Sequence, residues 1–257
     1  MEYTVAAVDE ALGLLIQVAE EPGLGVTELA KRSGNTKARS FRLLTTLEER
    51  GFVERYGASA VYRLGHKALI VGLAAREQIS LVGQSVAHLA ELGRLFNETA
   101  QVRVRDGLET VCIAIWESHH DVRVVAQIGR RRPLHAGSSG KLFLAFASED
   151  TRQAVLASPL QRYTPNTIVQ RSKLSQDLAK IRSQGYATSD SEMSENVLSI
   201  SAPVRDSTGQ MVAAIGMSVP SARVQDRMPK FISGVVAAAA ALSAELGWRP
   251  SKADTPS

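Results

Sequence analysis

The side chains with the clearest chemistry lie between Thr36 and Arg63. Lys37, Arg39 and Arg42 follow one another closely, with Ala38 and Thr46 on the same side of a helical wheel. An arginine guanidinium pairs in two-point fashion with O6 and N7 of guanine, so Arg39 and Arg42 are suited to reading base edges. Lys37, and the free amides of a helix started by Thr36, suit phosphate oxygens. Arg55 and Arg63 flank a later turn, where contact with phosphate or the minor groove is expected. The charge distribution agrees. Residues 1–30 carry six acids and no Lys or Arg, whereas residues 31–67 carry nine bases against three acids, a local net of +6. A swing of that size suggests one basic face turned towards an anionic partner.

Other constellations fail on spacing. The run Gly137-Ser138-Ser139-Gly140-Lys141 is close to a phosphate loop, but His135 stands where the first glycine belongs and Leu142 where a Ser or Thr would hold magnesium. Ser138 or Ser139 with His135 is a nucleophile and base without a nucleophile elbow or an orienting acid. His119-His120 has no third ligand at a fitting distance along the chain, so a polar turn is expected and no metal site. Arg130-Arg131-Arg132 is basic enough to meet solvent, nucleic acid or an anionic effector, and the sequence leaves these open. Cys112, the single cysteine, lies in the apolar run ETVCIAIW and reads as a buried thiol; no intrachain disulfide can form.

The elements that position the basic residues follow from periodicity. Val8, Leu12, Leu15, Ile16 and Ala19 recur at helical spacing and predict a helix over 6–20. Glu-Pro-Gly at 21–23 ends it. A second helix runs from Val26 to Arg32, with Gly25 as its cap and Glu28 expected to fold back to the cap amide. Ser33-Gly34-Asn35 is a tight turn. Thr36 caps a third helix to Arg50, stopped by Gly51. Phe52–Arg55 and Ala60–Arg63 form a hairpin around Gly57 and Ser59, with Tyr62 packing inward on the helix. Three helices, a three-residue turn and a hairpin make a winged helix-turn-helix.

Residues 66–79 predict a linking helix, and 81–95 another. Strands are expected at Thr99–Arg105, Thr110–Glu117, Val122–Ile128, Tyr186–Ser189, Leu198–Arg205 and Met211–Val219. Helices are expected at Ser139–Phe146, about Asp150–Ala157, Leu174–Gln184 and about Val224–Leu246. Clustered strands with flanking helices indicate an α+β domain with an antiparallel sheet. The expected organisation is a DNA-binding domain over 1–65, a linker helix over 66–79, a second domain over 80–249 and a disordered tail over 250–257. With 44% hydrophobic residues the chain can bury a core. No apolar run approaches 18 residues and the N-terminus lacks a signal-peptide pattern, so a cytoplasmic protein without membrane contact is expected.

Several segments together resemble the IclR family of bacterial transcription regulators: VTELAKRSGNTKARSFRLLTTLEERGFVER, VYRLG, VAQIGRRRPLHAGSSGKLFLAF, YTPNT, IRSQGYATSDSEM and ISAPVRDSTGQMVAAIGMSV. The resemblance covers Val5 to about Gly247. It implies a winged helix-turn-helix, a linker helix and a C-terminal effector domain built like a GAF or PAS sensor. It further implies a homo-oligomer, dimer or tetramer, on a palindromic operator near a catabolic operon, with no cofactor and no enzymatic activity.

The resemblance also implies a ligand pocket at the loop leading into Lys141 and at the late strands. Ser138, Ser139 and Gly140 then present hydroxyls and amides at a helix N-terminus, which favours an acidic ligand. The late-strand positions correspond to Ser189, Ser199, Gly216 and Ser218, with Asp190 as the matching acid if the register over SDSEMSENVLS shifts by one. Gly216 is expected to enlarge the pocket. Asp121 and Val122 are placed on its wall. A glycine usual to the family near Glu195-Asn196 is missing. The chain is thus expected to be a ligand-responsive regulator, repressor or activator, sensing a small acid, aromatic or otherwise. The alternative is a DNA-binding protein whose second domain only oligomerises.

Overall fold

The computed structural model describes residues 3–57, 60–78 and 80–249. Ser59 of the expected wing turn, Ile79 at the end of the expected linker helix and the expected tail over 250–257 lie outside the described residues. The chain divides into two compact units at Ser80/Leu81.

The first unit contains α1 (Ala6–Glu20), α2 (Val26–Ser33), α3 (Lys37–Glu49), the antiparallel pair β1 (Val53–Tyr56) and β2 (Val61–Leu64), and α4 (His66–Gln78). Leu14, Val18, Leu29, Leu44, Val53 and Tyr62 form its core. Thr36 caps α3 as expected, its Oγ1 accepting from the Arg39 amide at 3.3 Å. Gly51 follows α3 at φ +75°. Tyr62 is buried.

The structure adds which face of α1 is buried and corrects the cap expected at α2. On α1 the buried stripe is Leu14 and Val18, while Val8, Leu12 and Ile16 are about half exposed. This helix is apolar on more than one side, so periodicity alone did not select the face that meets α2 and α3. Glu28 does not fold back to the start of α2; it accepts from Arg32 Nε at 2.9 Å, one turn along the same helix.

The second unit begins with α5 (Ser80–Phe96), followed by β3 (Thr99–Asp106), β4 (Glu109–Trp116) and β5 (Arg131–Pro133). Then come α6 (Ser138–Phe146), α7 (Glu149–Ala157), α8 (Arg171–Gln184), β6 (Ala187–Asp190), β7 (Val197–Arg205) and β8 (Met211–Pro220). Two 3-10 turns, Ser221–Arg223 and Gln225–Arg227, lead into α9 (Met228–Glu245). The last helix therefore starts later than the expected Val224.

The strands form one antiparallel sheet in the order β5-β4-β3-β8-β7-β6. Side chains alternate across it. One face, with Val102, Ile200, Ala202, Ile215 and Met217, packs with Leu92 of α5 and with Phe231, Val235 and Leu242 of α9. The opposite face packs Ala187 and Ala214 with α6 and α8 through Leu142, Leu144, Leu174 and Ile181. Further along that second face the side chains turn polar, and the cavity opens there.

The expected strand over Val122–Ile128 is not one. The segment is irregular and outside the sheet, with Val122, Val125 and Ile128 exposed. Its β-branched residues suggested a strand, yet the free edge of β4 is taken by the chain after it. Arg131–Pro133 pairs with Glu109–Val111, and the Gly129 amide donates to the Cys112 carbonyl at 2.8 Å. The displaced segment arches over the polar face instead, held where Thr99 Oγ1 donates to the Val124 carbonyl at 2.6 Å.

Candidate DNA-binding surface and effector cavity

The two candidate surfaces lie in different units. In the first unit, α3 buries Ser40 and Leu44 and leaves Lys37, Ala38, Arg39, Phe41, Arg42 and Thr46 exposed. Spacing at 3.6 residues per turn is what separates the two sets. Among the described residues, the side chains of Lys37 and Arg42 make no hydrogen bond or ion pair. Three arginines expected on the DNA-facing surface are engaged, Arg39, Arg55 and Arg63. Arg39 is ion-paired with Glu10 of α1, and this hydrogen bond holds its guanidinium above its ordinary pKa range. Arg55 on β1 pairs with Glu48 of α3 at 2.9 Å. Arg63 on β2 pairs with Glu54 at 2.9 Å and lies 4.5 Å over the Tyr56 ring. Thr46 donates its hydroxyl to the Arg42 carbonyl at 3.1 Å, leaving it only acceptor capacity towards a partner. Phe41, which composition did not single out, is 46% exposed on the same surface.

In the second unit, a cavity of about 90 Å³ lies between the polar side of the sheet, the start of α6 and the arching segment over Val124–Gln127. Six expected residues meet there: Ser138, Ser139, Gly140, Ser189, Ser199 and Ser218. The registers explain the convergence. Ser189 pairs with Ser199 and Ser199 with Ser218, so one row of hydroxyls crosses β6, β7 and β8. Above that row the Ser138 amide donates to Ser199 Oγ at 3.3 Å, and Gln101 Nε2 donates to Ser218 Oγ at 3.1 Å.

Four expected residues are elsewhere. Asp121 and Val122 are exposed and not on the wall. Their placement followed from the strand that did not form. Asp190 is exposed and accepts from Ser191 Oγ at 2.9 Å and Ser221 Oγ at 3.1 Å. The buried acid in that stretch is Glu192, 5% exposed. It accepts from the Gly137 amide at 3.3 Å and is ion-paired with Lys141, which also meets Asp177 at 2.7 Å. Gly216 does not enlarge the cavity. A Cβ there would lie 2.3 Å from the Ile200 carbonyl and 2.5 Å from Ser201 Oγ. The glycine instead leaves room for Ser201, whose hydroxyl lies 2.8 Å from Ser138 Oγ and 3.0 Å from Ser139 Oγ. Asn196, in the stretch where the family glycine is missing, stands at φ +59°. Asparagine tolerates this left-handed conformation better than most residues.

Sequence reasoning passed over Ser201, Gln101, Arg103 and Glu192. Signals for them existed. Ser201 follows Ser199 at the strand period, and Thr99, Gln101 and Arg103 alternate with Ala100, Val102 and Val104. Lys141 begins the apolar run KLFLAF, and a lysine buried there required an acid. Of the three consecutive arginines, Arg130 and Arg132 reach the cavity wall. Arg131 turns away to Asp106 at 2.5 Å and Glu109 at 3.1 Å. His135 donates its Nε2 proton to the Gln161 carbonyl at 2.9 Å. No group of three or more His, Cys, Asp or Glu among the described residues is placed to hold a metal. No described helix is long and apolar enough to cross a membrane.

A winged helix-turn-helix on one unit and a cavity-bearing α+β sheet domain on the other define a class of two-domain transcription regulators. Family comparison agrees for both parts. The IclR helix-turn-helix domain matches residues 7–57, and the family described as bacterial transcriptional regulator IclR C-terminal matches residues 74–244. The chain belongs to the IclR family of transcription regulators. It is 33% identical over 243 residues to the transcriptional repressor IclR of Escherichia coli, covering 91% of this chain and 88% of that protein. An IclR-type regulator from Silicibacter has the same fold with a TM-score of 0.88 at 25% identity, covering 98% of this chain and all of that one. An IclR homologue from Microbacterium hydrocarbonoxydans, solved in complex with 4-hydroxybenzoate, superposes with a TM-score of 0.78 at 22% identity over 93% of this chain and 98% of that one. The family is one of regulators, not enzymes.

Proposed function

We propose that this protein binds a palindromic operator as a homo-oligomer and represses a catabolic operon until a small carboxylate enters the cavity. The observation that carries the reading is the convergence of Ser138, Ser139, Ser189, Ser199 and Ser218 beside the start of α6, in a cavity whose wall includes no Asp or Glu. Hydroxyl donors and the partial positive charge of a helix N-terminus favour an anion there. The homologue complexed with 4-hydroxybenzoate supports an aromatic or aliphatic acid over a neutral ligand. On the DNA side, residues 1–65 supply the contacts, with Arg39 and Arg42 on base edges and Thr36, Lys37, Ala38, Thr46, Arg55 and Arg63 towards backbone. Residues 66–79 link to an effector domain over 80–249. The protein works in the cytoplasm, where its operator is.

Two exposed apolar surfaces support a homo-oligomer. Val5, Val8, Leu12 and Ile16 are each more than half exposed on or beside α1, and Leu69, Ile70, Val71 and Leu73 are exposed on α4. Patches of this kind on a monomer mark association surfaces. The ligand acts only by binding one arrangement of the operator-bound oligomer more tightly than another.

Footprinting on the DNA upstream of the protein's own gene, with and without carboxylates, tests this reading. Two symmetric protected half-sites, weakened by at least one acid, are expected. A single asymmetric footprint overturns the palindromic homo-oligomer. A footprint that no carboxylate alters overturns the sensing.

A further inference from the structure

The cavity wall carries three arginines, Arg103, Arg130 and Arg132, and no carboxylate. Arg103 is only 4% exposed, and its hydrogen bonds go to neutral groups alone. Nε donates to Thr110 Oγ1 at 2.9 Å, Nη2 to the Thr110 carbonyl at 2.9 Å and the Arg130 carbonyl at 2.6 Å, and Nη1 to Gln101 Oε1 at 3.4 Å. Burial without a counter-ion pulls its pKa down to about 10, although the nearby Cys112 thiol works the other way; Arg132 and Arg130 push it further down. Arg132 is lowered too, by burial first and by Arg130 second. The side chains of Arg130 and Arg132 have no recorded hydrogen bond or ion pair among the described residues.

Elsewhere this fold neutralises its buried charges: Lys141 has Glu192 and Asp177, and Glu98 has Arg223. Arg103 is buried, Arg132 half-buried and Arg130 exposed beside them; gathered on one wall without an acid, the inner two carry a cost that a bound anion offsets. The serines and the start of α6 already provide for one anionic group. The sheet order separates the two sets. Ser199 is on β7, Arg103 on β3, and only β8 lies between them, about 10 Å across the strands; Arg103 pairs with Ala214 and Ser199 with Ser218, four residues further along β8, and Gln101 spans the offset, accepting from Arg103 Nη1 and donating to Ser218 Oγ.

We propose that the effector is a compact dianion, with one anionic group at Ser138, Ser139 and Ser199 and the second at Arg103, Arg130 and Arg132. This rests on the reading of the cavity as an effector site. The cavity is small, about 90 Å³, which selects a short dicarboxylate or a short phosphorylated acid.

Calorimetry and thermal shift on the full-length protein at constant ionic strength test the proposal. Succinate is compared with butyrate, and phosphoglycolate with glycolate, with inorganic phosphate alone as a further probe. Each is repeated on the double variant Arg130→Gln/Arg132→Gln, whose fold is checked by circular dichroism. At least one dianion is expected to bind about tenfold more tightly than its matched monoanion, and to lose that advantage in the double variant. Preference in the succinate pair identifies a dicarboxylate; preference in the phosphoglycolate pair, or binding of phosphate itself, identifies a phosphorylated acid. Monoanions that bind as well as their dianions overturn the second anionic subsite and leave the effector cavity standing. A dianion advantage that survives in the double variant has the same consequence. If neither dianions nor monoanions stabilise the wild type, the effector reading falls as well.

Discussion

Arg39, at the start of the recognition helix α3, is ion-paired with Glu10 of α1 in the DNA-free protein. The contact crosses from the helix expected to read bases to one that is expected only to support it. A phosphate or guanine approaching Arg39 must displace this carboxylate, so Glu10 is a competitor for the same guanidinium. The substitution Glu10→Gln is expected to tighten binding to the operator and to unrelated duplex alike, as it frees the arginine and removes a negative charge near the phosphates. Arg39→Ala is expected to weaken both and to make Glu10→Gln nearly silent in its background. Fluorescence anisotropy at fixed salt measures the cycle. If Glu10→Gln weakens binding, Arg39 does not face DNA.

Lys37 and Arg42 are the two cations of α3 without recorded partners, and they are expected to behave differently. Arg42→Ala should cost about 1–3 kcal/mol of operator binding and relax base preference at one position. Lys37→Ala should weaken all sequences equally and reduce the slope of log K against log salt by about one. Titrations at several salt concentrations separate the two. Equal loss on operator and random duplex with Arg42→Ala contradicts its assignment to a base edge.

How far these surfaces were legible in the sequence depended on whether local chemistry or long-range pairing placed them. The recognition helix was legible because its cap Thr36, its stop Gly51 and its basic residues are all contiguous. Ser138, Ser139 and Gly140 were legible for the same reason. The ion pairs of Arg39, Arg55 and Arg63 were not, since Glu10 is 29 residues from Arg39 and helix periodicity does not say which face of α1 turns towards α3. The edge of β4 was another such case. Val122–Ile128 has the composition of a strand, but Arg131–Pro133 occupies the ladder. That displacement carried Asp121 out of the site and brought Arg130 and Arg132 into it.

Gly216 gives a test of the serine cluster that does not involve ligand. Any side chain at this position meets the Ile200 carbonyl and Ser201 Oγ. Gly216→Ala is therefore expected to push Ser201 away from Ser138 and Ser139 and to destabilise the second unit by about 1–3 kcal/mol. Adding Ser201→Ala to that variant relieves part of the crowding but not the contact with the backbone carbonyl, so rescue should be partial. Urea unfolding of the single and double variants measures both. An unchanged midpoint in Gly216→Ala would mean that β7 and β8 yield more easily than their register implies.

Lys141, Glu192 and Asp177 form a charge cluster under the start of α6, with Lys141 2% and Glu192 5% exposed. Because Glu192 also accepts from the Gly137 amide, it fixes the residue from which Ser138 and Ser139 project. Removing one member leaves an opposing charge buried, which typically costs about 3–5 kcal/mol. Lys141→Met is expected to be the more damaging, since it strands two carboxylates. Glu192→Gln keeps an acceptor for the Gly137 amide and leaves Asp177 to balance Lys141, so its cost should fall at or below the lower end of that range. The double variant Lys141→Met/Glu192→Gln should lose less stability than the two singles added together, because the charge stranded by the first change is removed by the second. Urea unfolding at neutral pH measures the cycle, and carboxylate binding to Glu192→Gln reads the loop. Additive losses would show that Lys141 and Glu192 are not coupled. Full carboxylate affinity in Glu192→Gln would show that the position of Ser138 does not depend on the charge beneath it.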